Sequence, residues 1–104
     1  MANPAQGEVA FKAADADYTL KFSTNAICEL EDHLNKGLNE IVAGIERLSS
    51  VRALLWAGLR AKHPDVTIKG AGEIIDKIGM AAAIEHVSVA LKTAFPAPSG
   101  DPNA

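Results

Sequence analysis

Ser49-Ser50-Val51-Arg52-Ala53-Leu54-Leu55-Trp56-Ala57-Gly58-Leu59-Arg60-Ala61-Lys62 is the stretch on which the fold turns. Stepped at roughly 100° per residue, Val51, Leu54, Leu55, Gly58, Leu59 and Ala61 fall on one broad face. Ala53 and Ala57 widen that face almost all the way round. A helix this apolar needs cover on more than one side, so it predicts the central helix of a small bundle over 49–62. Its narrow polar strip carries Arg52, Trp56 and Arg60 at i, i+4 and i+8, one above another. Ser49 is the expected N-cap, and His63-Pro64 the stop.

Working outward, the segment before this helix changes period twice. From Gly7 to Phe22 the pattern alternates: Val9 and Phe11 against Glu8, Ala10 and Lys12, then Tyr18, Leu20 and Phe22 against Thr19 and Lys21. Two such runs predict a β-hairpin over 7–22, with Ala13 to Asp17 as its loop. A hairpin alone is marginal in water, so Phe11, Tyr18, Leu20 and Phe22 must lie on helices. A helix over about 24–34 follows, capped by Ser23 or Thr24, with Ala26, Ile27, Leu30 and Leu34 inward. A short helix over 39–47 presents Ile41, Val42 and Ile45. After the central helix, 68–78 carries the stripe Ile68, Ala71, Ile74, Ile75 and Ile78. Gly79 breaks the chain, and 80–95 forms the last helix, with Met80, Ala83, Ile84, Val87, Leu91 and Phe95 on its inner side. The expected architecture is α+β: one N-terminal hairpin on about five helices, a single domain over 7–95. Residues 1–6 are expected to be a flexible lead-in. Residues 96–104, rich in Pro and Gly with nothing to bury, are expected to be a disordered tail.

Composition narrows the function. The chain has 104 residues, 48% hydrophobic and 22% charged, enough for one core. Acids outnumber bases 13 to 10, which argues against a nucleic-acid binder. One cysteine, Cys28, excludes an internal disulfide and suits a reducing compartment. No charged-then-apolar leader is visible and no apolar run reaches ~18 residues. The expectation is a cytoplasmic chain that does not span a membrane.

Spacing alone points to no catalytic chemistry. Glu29, Asp32 and His33 lie within about one turn, a fragment of a carboxylate–histidine site that only His86 could complete from another helix. The simpler reading is a solvated helix face. His63 reads as a cation at a helix end, and Cys28 as a small buried thiol. Gly70-Ala71-Gly72 has two glycines of a dinucleotide fingerprint, but Ile75 stands where the third is needed and no strand precedes it. No cofactor or metal is expected, and the chain is not read as an enzyme. Partner binding has more behind it. Arg47, Arg52, Arg60 and Lys62 occur with no acid between 47 and 62, while 29–40 holds four acids and one base. Either these faces attract each other across the bundle, or Arg52, Trp56 and Arg60 form a docking strip of the residue types that dominate interfaces. The free edges of the hairpin offer a second route, to a partner strand or a second copy.

The order of motifs resembles a known family. Tyr18-Thr19-Leu20-Lys21-Phe22-Ser23-Thr24-Asn25-Ala26 is followed by Cys28-Glu29-Leu30-Glu31. Arg52-Ala53-Leu54-Leu55-Trp56-Ala57-Gly58-Leu59 comes next, then His63-Pro64-Asp65 with Thr67, then Ile74-Ile75-Asp76 with Gly79. This is similar to the gene-transfer-agent family of phage-tail proteins, among the tail assembly chaperones, over about 7–95. Lys69 and Gly70 depart from it, standing where the family opens its fourth helix with acids. The resemblance implies a non-enzymatic protein that binds the tape-measure protein and the tail-tube protein during assembly and is absent from the finished tail. The alternative is a structural tail or connector subunit retained in the particle.

Overall fold

A computed structural model describes residues 7–95. Along it run β1 (Glu8–Ala13), β2 (Ala16–Lys21), α1 (Thr24–Leu34), α2 (Leu38–Ala43), α3 (Leu48–Leu59), α4 (Ile68–Ile78) and α5 (Met80–Ala94). The fold is α+β, an N-terminal hairpin followed by five helices. The expected lead-in over 1–6 and tail over 96–104 lie outside the described residues.

The hairpin is antiparallel, with Glu8 facing Lys21, Ala10 facing Thr19 and Ala13 facing Ala16. Its loop is therefore the two residues Ala14-Asp15, shorter than the five expected from Ala13 to Asp17. Ala14 takes φ 55°, and a positive φ at the first central residue alone is the II′ pattern that matches strand twist. Glycine is the usual occupant. With alanine there, the sequence signal for a tight turn is missing although the turn is made.

The inner side of the hairpin seats on the helices through Phe11, Ala13, Leu20 and Phe22, all buried. Phe11 stacks on its cross-strand neighbour Tyr18 at 5.5 Å between ring centroids, and on His86 of α5 at 4.9 Å. On α3 the seat is Gly58. A Cβ there would stand 2.9 Å from Leu20 Cδ2 and 3.0 Å from Phe22 Cζ. The bare backbone of the central helix is what lets the strand come down so close.

α3 is enclosed as its composition demands. Val51, Ala53, Leu54, Leu55, Ala57 and Leu59 are all buried, against the hairpin and against α1, α4 and α5. Its ends differ from expectation. The helix begins at Leu48 with Arg47 as the N-cap and no side-chain cap bond, so Ser49 sits inside the first turn. The Arg47 carbonyl already accepts from Ser50 and Val51, which starts the helix before Ser49 can cap it. At the other end the helix stops at Leu59, three residues short of Lys62. There Arg60 donates to Ala57 and His63 to Leu59 in tightening turns. α2 is also shorter than the expected 39–47. Gly44 donates back to Glu40 and Ile41, and glycine's poor helix propensity unwinds the chain there.

The remaining helices follow their sequence signals. Ser23 Oγ accepts from Ala26 N–H at 3.1 Å and Thr67 Oγ1 from Gly70 N–H at 2.9 Å, the two side-chain N-caps. Gly79 joins α4 to α5 at φ 90°, ψ 154°, a region essentially reserved for glycine. Several residues depart from their expected burial. Phe95 lies beyond the end of α5 and is 45% exposed, Val42 of α2 is 40% exposed, Cys28 is exposed rather than buried, and Glu8 is buried. Among the described residues no helix is long and apolar enough to cross a membrane.

Candidate partner-binding surface

The outer ridge of α3 brings Arg52, Trp56 and Arg60 into line, as their spacing requires, but its neighbours treat the three differently. Trp56 is half-buried and packs against the core. The His33 ring of α1 lies 5.4 Å from it, tilted by 48°. The Arg60 guanidinium stands 5.3 Å from the centroid of the Trp56 ring, within cation–π range. Arg60 Nε also donates to Glu29 Oε1 at 3.1 Å. The lower half of the ridge thus fastens α1 to α3. The first of the two sequence accounts applies there, because the charges of Arg60 and Glu29 attract across the bundle, and Trp56 and Arg60 are both half-buried.

Arg52 behaves otherwise. Its alkyl stem crosses α4 at Gly72, where an added Cβ would be 3.3 Å from Arg52 Cδ. Among the described residues its guanidinium makes no ion pair within 4.0 Å. It opens onto a groove of about 660 Å³ between α3 and α4, lined also by Leu48, Lys69, Glu73, Ile75 and Asp76. Leu48, at the mouth, is 58% exposed.

The chain was compared with models of known protein families, with curated proteins and with solved structures. It matches none of them.

A second groove, of about 310 Å³, runs between α2 and α5. Leu38, Val42, Ile45, Leu91 and Phe95 line it, with Lys92 at its rim. Periodicity placed Val42, Ile45 and Phe95 inside. Of these, Ile45 is half-buried and packs against the core although it lies beyond the end of α2, whereas Val42 and Phe95 are 40% and 45% exposed.

The groups weighed for metal chemistry are dispersed. Glu29 binds Arg60, His33 leans on Trp56, Asp32 is exposed, and His86 stacks under the hairpin on Phe11. Among the described residues no three His, Cys, Asp or Glu converge to hold an ion. His63, read from the sequence as a helix-end cation, turns to the hairpin: the backbone N–H of Thr19 donates to its Nε2 at 3.0 Å, and its ring meets Tyr18 edge-on at 5.2 Å. Nearby, Glu8 is buried with Lys62 Nζ 3.2 Å from its Oε2. The segment after α3 therefore crosses back over the hairpin, a long-range contact that the local alternation of β1 could not reveal.

Proposed function

We propose that this chain is a non-enzymatic chaperone of phage or gene-transfer-agent tail assembly, holding the tape-measure protein, the tail-tube protein or both while the tail is built. The observation that carries this is the pair of open grooves on a domain whose own core is already closed. Val42 and Phe95 in one, and Leu48 in the other, stay 40% exposed or more. Large apolar side chains grouped at grooves suit apolar segments of another protein. Arg52 then supplies a charged contact in the α3–α4 groove, and Trp56 and Arg60 offer aromatic and polar contacts further along the ridge, on the α1 side. The order of motifs from Tyr18 to Gly79 is what supports the choice of phage-tail partners.

Co-expression and pull-down with the tape-measure protein from the same gene cluster tests it. Stable association at low salt is expected, and no association with both proteins folded counts against it. Mass spectrometry of purified particles is the second arm. A chaperone is missing there, whereas a structural subunit is present in fixed ratio.

A further inference from the structure

α5 buries Ala83, Val87 and Ala90 and turns Ala81, Glu85, Val89 and Lys92 outward, all of them exposed. Glu85 and Lys92 are one heptad apart, so they stand on one side of the helix within about 20° of each other. Among the described residues neither makes an ion pair, and α5 carries no other Asp, Glu, Lys or Arg. Val89, between them, is 45% exposed.

The two ends of this face differ in size as well as in charge. Phe95, at the C-terminal end, is 45% exposed. At the N-terminal end the side chains are small, Ala81 exposed and Ala82 half-buried. Acid and base, small and large, therefore sit at equal distances on either side of one point, midway between Ser88 and Val89.

We propose that α5 packs antiparallel against α5 of a second copy of this chain, about a two-fold axis between Ser88 and Val89. Such an interface is isologous, the same patch serving on both subunits. In it Glu85 stands level with Lys92 of the other copy, and Lys92 with its Glu85, so opposite charges meet twice. The two Val89 side chains come together at the axis. Each Phe95 lies over Ala81 and Ala82 of the other copy, where the short side chains leave room for a ring. A parallel arrangement sets Glu85 on Glu85 and Lys92 on Lys92 and is disfavoured. The occupant is this chain because a second copy supplies the reversed order of charge and of size by symmetry alone. Lys92 and Phe95 also border the α2–α5 groove, which the second copy closes. The α3–α4 groove shares no residue with this face and stays open to another protein, so the inference does not rest on the proposed function.

The full chain in sedimentation equilibrium at low salt tests it. A concentration-dependent dimer is expected. Glu85→Lys alone, or Lys92→Glu alone, sets like charges across the interface twice and should weaken the dimer on the order of tenfold. Mixing the two single variants should restore association as a heterodimer, and a chain carrying both reversals should dimerise like the unchanged one. Val89→Glu places two acids at the axis and should leave a monomer with unchanged far-ultraviolet dichroism. A chain monomeric at every concentration overturns the proposal. So does a dimer that the single reversals leave intact, or a mixture of the two that stays dissociated. If a single reversal does not fold, the loss or survival of the dimer in Val89→Glu decides.

Discussion

The two sides of α3, with Arg60 at its C-cap, do opposite work. Its inner side is sealed: Leu54, Leu55 and Leu59 are fully buried, and Gly58 is pressed against Leu20 and Phe22 of the hairpin. Its outer ridge is only half used, with Trp56 and Arg60 engaged by α1 and Arg52 open to a groove. The difference teaches that a small domain can put nearly all its stability on one side of a helix. On the opposite side Trp56 and Arg60 are still drawn into the fold by α1, and Arg52 is left open to the groove.

Substitutions of decreasing effect sharpen this contrast. Leu55→Ala on the sealed side is expected to cost about 2–5 kcal/mol in chemical denaturation, since it empties a fully enclosed site. Gly58→Val should cost about 1–3 kcal/mol by overpacking, because the new side chain meets Leu20 and Phe22 at once. A melting temperature unchanged by Gly58→Val would mean that the hairpin is not seated on α3. On the ridge, a double-mutant cycle between Glu29→Ala and Arg60→Ala should return a coupling of at most about 1 kcal/mol, as both side chains are more than one-third exposed. The smallest effect has the opposite sign. Ala14→Gly should raise stability by up to about 1 kcal/mol by relieving the left-handed backbone of the turn, read as a higher melting temperature.

How much of this was legible follows the range of the interaction involved. α1 and α4 could be read because their stripes keep the helical period and Ser23 and Thr67 cap them within three residues. The hairpin strands were legible because their apolar residues alternate along 7–22. Its turn was not, because Ala14 adopts a glycine conformation without being glycine. The end of α2 was misplaced because Ile45 continues the apolar spacing past Gly44, where the backbone has already unwound. Glu8 and His63 were misread because their partners, Lys62 and Thr19, come from distant parts of the chain. At the candidate surface, the alignment of Arg52, Trp56 and Arg60 was visible in their spacing. What lies over each of them was not, since α1 and α4 reach the ridge only through tertiary packing.

The most direct test of the division between the two sides is a paired measurement on Leu48→Ser with Arg52→Ala. Thermal unfolding and affinity for the tape-measure protein are read on the same sample. Both side chains are exposed, so the melting temperature should stay close to that of the unchanged chain, while binding weakens on the order of tenfold or more. Undiminished binding, or a loss of folding comparable to that of Leu55→Ala, would contradict it.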